Sequence, residues 1–306
     1  MKDRSLVASD PVELHADWIE RQALQSKTKQ LSLESFVRVI RRGGSAEAVA
    51  GPRGDVGSEA SQRVGQDAFA EIERRAHDCG KKGYPFEITS GLLRATGGWK
   101  SSAYVLLLYL SGAQPTTGHN GTAVLFERLC REAALHFFGG QKNSADAFRF
   151  GSPRKKPIAK LSQVIDELCK QVIEGGGCKS PAKASHLGDE GLDIVAWRKF
   201  PDLKEGKLIA FGQCAGGEGN WEEKLTELDG RKFAQKWFRQ MFVVDPIRFF
   251  FLPRCVPRED WENAGIDGGI LFDRCRIVAC LPKLDPILVQ DCKKALAFLI
   301  KKSNQA

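Results

Sequence analysis

Two short apolar runs, residues 192–197 (LDIVAW) and 207–214 (KLIAFGQC), constrain this chain more than any other feature. Each is too short for a packed helix and rich in β-branched and aromatic residues, and a polar loop containing Pro201 and Gly206 separates them. They read as neighbouring strands. Acids precede the first at Asp189 and Glu190, and Asp193 lies within it; Gln213 ends the second. Strand alternation puts Asp193 with Val195 and Trp197, and Gln213 with Ile209 and Phe211. Glycines at 216, 217 and 219 lead to a helix start expected at Asn220, carrying Trp221, Glu222, Glu223 and Lys224. A carboxylate at a strand end needs a cation, a water or a donor. Magnesium takes oxygen ligands and commonly uses one or two protein carboxylates, keeping several waters. Asp193, the side-chain oxygen of Gln213 and the backbone carbonyl of Cys214 supply three such oxygens, leaving positions for water and a phosphate.

The surrounding pattern sets the architecture. Helices are expected over 11–26, 33–41, 61–79 and 101–111, with a glycine-rich connection over 43–61. The run AYVLLLYLSG is far shorter than the roughly 20 residues a membrane span needs, so it reads as a core helix. YPFEI suggests a short strand. A helix over 122–138 turns Leu125, Leu129 and Ala133 inward, with Glu127 between Phe126 and Arg128. Another over 157–173 opens on Pro157, where a missing N–H costs nothing. Over 229–241, a helical projection places Phe233, Ala234, Trp237, Phe238 and Met241 on one arc and Lys232, Lys236 and Arg239 on the other. Strands are expected at 247–253, 269–272 and 276–281, and a last helix over 285–302. The reading is α/β: a mainly helical region over 1–118, then over 119–306 a mixed sheet flanked by helices.

Among 306 residues, 46 basic side chains against 38 acidic ones give a net charge of +8, which favours polyanionic partners. The excess is concentrated: residues 141–183 hold nine Lys and Arg against four acids, and Arg154, Lys155 and Lys156 stand together. These three, with Lys232, Lys236 and Arg239, are the candidate contacts to nucleic-acid phosphates. Nine cysteines without a CxxC pair indicate reduced, buried thiols and a cytoplasmic protein, and the charged N-terminus lacks the apolar core of a secretory signal.

GDEGLDIVAW followed by KLIAFGQCA resembles the PD-(D/E)XK nuclease superfamily, of restriction-endonuclease-like fold, and is similar overall to bacterial restriction and anti-phage proteins. In that superfamily an Asp ends one strand, a (D/E/Q)-x-K triplet lies on the next, and a Glu often comes from the preceding helix. The resemblance, over roughly 120–282, implies that Asp193 is the metal-binding Asp, that Gln213 takes the variable acidic position and that Glu127 is the helix Glu. It implies an Mg2+- or Mn2+-dependent nuclease acting on DNA in restriction or defence, with an ATPase or helicase as a candidate protein partner and no membrane. One departure is plain: the triplet reads Gln213-Cys214-Ala215, so the lysine is absent, and Lys224 is the best substitute.

Three other readings compete. A catalytically inactive module of the same fold would bind nucleic acid or a partner protein. A cysteine hydrolase would use Cys214 with a base such as His186, and a zinc site would draw on Cys255, Cys275 and Cys280, which lack paired spacing.

Overall fold

The computed structural model describes residues 6–43, 56–80, 82–114, 116, 121–151, 160–180, 190–217 and 219–303. Arg154, Lys155, Lys156, Pro157, His186 and Asp189 fall outside them. The first part is helical with a small antiparallel sheet: α1 (Val12–Gln25), β1 (Gln30–Ser32), α2 (Leu33–Gly43), α3 (Val56–Asp78), β2 (Phe86–Thr89), β3 (Leu92–Ala95) and α4 (Ala103–Leu110), with strand order β1-β3-β2. All but the first residue of α4 are buried, as its unbroken apolar run requires.

The second part is built on a five-stranded mixed sheet of order β4-β5-β6-β7-β8. Its elements run α5 (Thr122–Phe137), β4 (Ala145–Arg149), α6 (Leu161–Val172), β5 (Ile194–Arg198), β6 (Ile209–Cys214), α7 (Gly230–Trp237), β7 (Ile247–Phe251), α8 (Trp261–Gly268), β8 (Ile270–Phe272), α9 (Arg274–Cys280) and α10 (Pro286–Ser303). β4, β5 and β6 are antiparallel neighbours, with Ile194 opposite Gly212, whereas β6, β7 and β8 run parallel. Alternation sorts the side chains. Ile194, Ala196, Ala210, Phe249 and Phe251 join the core that includes α5, and Val195, Trp197, Ile209 and Phe211 join the core beneath α6 and α7. Burying each of Phe211, Phe249 and Phe251 contributes about 1.5–3 kcal/mol.

Four expectations are corrected. Residues 145–149, inside the basic stretch 141–183 where no strand is expected, form the edge strand β4. Residues 276–281 are not a strand: Asp273 Oδ1 accepts from the Arg276 N–H and starts α9, whose buried Arg274, Cys275, Ile277 and Val278 follow helical spacing. After Trp221 only a single 3-10 turn forms, Glu222–Lys224, and a second cap at Asp229 starts α7. α7 then stops at Trp237, because the chain beyond it pairs elsewhere: Phe238 bridges to Cys178, and the Arg239 and Gln240 N–H groups donate to the carbonyls of Gly177 and Gly175. Arg239 therefore does not share the helix face of Lys232 and Lys236, and Met241 is 41% exposed rather than packed.

The two parts share one apolar core that runs from Ala16 to Leu299. A charged network crosses the same boundary. Arg75 and Arg274, both fully buried, converge on Asp17 with contacts of 2.8 Å each. Arg75 also reaches Glu20 at 3.1 Å, and the hydroxyls of Tyr84 and Tyr104 donate to Glu20 at 2.6 and 2.8 Å. No described helix is long and apolar enough to cross a membrane.

Candidate functional site

The site begins with an irregularity between β4 and β5. The N–H groups of both Phe150 and Gly151 donate to the single carbonyl of Asp193, at 2.6 and 3.0 Å. Two residues of one strand thus oppose one of the other, the pattern of a β-bulge, which re-aims side chains. The Asp193 carboxylate accordingly does not join Val195 and Trp197. Its Oδ2 accepts from the Cys214 N–H at 2.7 Å, and its Oδ1 comes near Glu127, which α5 supplies from the other side of the sheet.

Gly151 is what allows the approach. A Cβ at that position would lie 2.7 Å from Glu127 Oε2 and 2.9 Å from Asp193 Oδ1, so both carboxylates crowd against its bare α-carbon. Arg149, at the end of β4, donates to Glu127 Oε2 at 2.6 Å and to the Gly151 carbonyl at 2.9 Å. Glu127 is only 8% exposed, so this pairing compensates a charge that burial would otherwise penalise.

Cys214 lies on the same side. Burial pushes its thiol well above the ordinary value, and the neighbouring Cys130 thiol and the Asp193 and Glu127 carboxylates push it further. Such a thiol stays protonated at neutral pH, which argues against a nucleophilic role.

Gln213 faces the opposite way, with Phe211. Its Nε2 donates to Glu227 Oε2 at 2.6 Å, while its Oε1 is buried and has no hydrogen-bond partner among the described residues. An amide oxygen left so is costly, and it is the kind of group a cation or water completes. Lys224, at the end of the 3-10 turn, lines a pocket of about 160 Å³ together with Glu127, Cys214, Gly216 and Gly217. It forms no ion pair with a described residue. The structure thus gathers Glu127, Asp193, Cys214 and Lys224 at the ends of β5 and β6, with Gln213 adjoining on the other face.

The basic residues are divided. Lys232 pairs with Asp229 at 3.2 Å, and Lys236 with Glu190 at 2.7 Å. Glu190 also accepts from Trp237 Nε1 at 2.8 Å, and the next residue, Gly191, packs on the Gln213 amide. Arg239 Nε donates to the Cys178 carbonyl at 3.0 Å. Sequence reasoning missed Arg149, Gly151 and Glu227. Arg149 was hidden among the basic residues of 141–183, and nothing local marks Glu227 as the partner of Gln213. No family model, curated protein or solved structure matches this chain.

Proposed function

We propose that the chain is a divalent-metal-dependent nuclease that hydrolyses phosphodiester bonds of DNA, in restriction or anti-phage defence. The observation that carries this reading is the convergence of Glu127 and Asp193 on Gly151, with Lys224 among the residues lining the adjoining pocket. The donor set suits a hard cation: the two carboxylates offer oxygens, the ligands magnesium and manganese prefer. Glu127 and Asp193 would hold the ion, which when bound would act as a Lewis acid and lower the pKa of water, whereas Gln213, expected from the sequence as a ligand, faces Glu227 on the opposite side of the sheet. Lys224 would stabilise the charge that builds on the phosphate during attack, taking the part of the lysine missing at Ala215. Arg149 would hold Glu127 in position. On this reading the restriction-endonuclease-like fold is the scaffold, and DNA is the partner of the basic flank that carries Lys232 and Lys236.

The test is Mg2+- or Mn2+-dependent cleavage of DNA by the wild type and by Asp193→Ala. Cleavage that the substitution abolishes, in a protein that melts like the wild type, supports the nuclease. Equal cleavage by both removes Asp193 from the chemistry. A second reading has its own support: the Arg149 guanidinium and the Cys214 N–H already compensate the two carboxylates. DNA binding without cleavage under any divalent ion would make the chain a binding module, with an ATPase or helicase as a candidate partner.

A further inference from the structure

Three thiols and a carboxylate meet at the seam between the two parts of the chain, and none of them belongs to the Glu127–Asp193 site. Cys255 follows β7, Asp273 and Cys275 open α9, and Cys79 ends the segment after α3. The Cys255 and Cys275 sulfurs are 3.8 Å apart, and an Asp273 carboxylate oxygen lies within 4.8 Å of both. The Cys79 thiol interacts with Cys275 but stands outside the group whose ligand atoms lie within 4.8 Å of one another. All four residues are buried, at 3–5% exposure or less.

Buried thiols are ordinary core residues, but a carboxylate 3% exposed among them is not. Tetrahedral zinc with bonds of about 2.3 Å separates two thiolates by about 3.8 Å, so Cys255 and Cys275 already stand at ligand spacing. Asp273 is also held in place, because its Oδ1 caps α9 through the Arg276 N–H. Cys255 also lines a pocket of about 540 Å³ beside α1, which gives an ion a route in.

We infer that Cys255, Cys275 and Asp273, with Cys79 as the nearest fourth donor, form a closed structural site for a zinc-type ion. Metal–sulfur bonds replace the S–H bonds, and the displaced protons pass to solvent. The ion would tie residues 79, 255 and 273–275 together, joining the helical part to the sheet. Cys280, on the same helix as Cys275, takes no part in the cluster.

The test uses the full chain, purified under reducing conditions without chelator. Elemental analysis is expected to find about one zinc per chain. Cys255→Ser with Cys275→Ser should abolish it, while Cys292→Ala, another buried thiol, should leave it unchanged. Should the double variant fail to fold, cobalt is added to the reduced, metal-stripped wild type, and a thiolate-to-cobalt charge-transfer band saturating at equal stoichiometry is expected. Loss of that band in Asp273→Asn or Cys79→Ser places those donors on the ion. A wild type that carries no zinc and takes up no cobalt overturns the inference, as does a Cys255–Cys275 disulfide that persists in the purified reduced protein. Neither measurement depends on DNA cleavage.

Discussion

The Cys214 N–H, at the end of one strand, donates to the Asp193 carboxylate, at the start of its antiparallel neighbour, across 2.7 Å. This bond occupies Oδ2 and fixes the plane of the carboxylate. Oδ1 is thereby turned toward Gly151 and Glu127. The geometry of the candidate site is consequently set by backbone as much as by side chains, since the bulge at Phe150 and Gly151 holds the Asp193 carbonyl from the other side.

Gly151→Ala tests that arrangement directly. The new methyl group would press on both carboxylates, so one must move away. We expect a stability loss of about 1–3 kcal/mol, read from denaturant unfolding, together with weakened Mn2+ binding. Manganese affinity and stability equal to the wild type would mean that the two acids are not held as a pair.

Lys224→Ala should lower kcat far more than it lowers DNA affinity, the behaviour of an interaction made mainly in the transition state. A loss of about a hundredfold or more in turnover is expected, with Lys224→Arg recovering part of it. Gln213→Ala should be milder, because its amide lies on the face opposite the two carboxylates and meets Glu227 instead. An unchanged kcat for Lys224→Ala would leave the missing motif lysine without a replacement.

Salt dependence separates phosphate-bound charges from solvated ones. Removing Arg154, Lys155 and Lys156 together, or Lys232 alone, should flatten the slope of log affinity against log salt by roughly one for each phosphate deprived of its cation. Lys236, held by Glu190 at 2.7 Å, and Arg239, held by a carbonyl, should change the slope less than Lys232, whose pair with Asp229 is longer, at 3.2 Å, and more exposed. Identical slopes in the Lys232 variant and the wild type would exclude that residue from the interface.

Acid should unfold the protein through Asp17. Burial alone would raise its carboxyl, but the charges of Arg274 and Arg75 outweigh that and hold it below its ordinary value of 3.8. A depressed folded-state value means the stabilisation is present above about pH 4 and is lost as pH falls below it. Melting measured from pH 5 downward should show a decline that begins near pH 4 and continues below pH 3, and that Asp17→Asn, already destabilised at pH 5, lacks. Arg274→Met, which strands Asp17 beside a single remaining arginine, should cost about 3–5 kcal/mol.

The parts legible in the sequence were those with local signatures. The runs at 192–197 and 207–214 are apolar enough to be strands in any context, and the helix around Glu127 carries its own inward face. β4 was not legible, because five residues, ADAFR, within a basic stretch show neither alternation nor a turn signal. Residues 276–281 are a short apolar run whose periodicity does not separate strand from helix, and the cap at Asp273 decided it. Arg239 left the helix face because distant carbonyls near Gly177 compete for its backbone. The meeting of Cys79 with Cys255 and Cys275 is set by tertiary packing alone, so spacing rules applied to 255, 275 and 280 could not find it.

The pairing of Asp17 with Arg75 and Arg274 also bears on how such a chain can evolve. A recombination event that passed on residues 119–306 by themselves would hand the recipient Arg274 with no acid to meet it, buried in a core whose other half stayed behind. A segment put in place of the helical part would therefore have to bring its own carboxylate to meet Arg274, or position 274 would have to change with it.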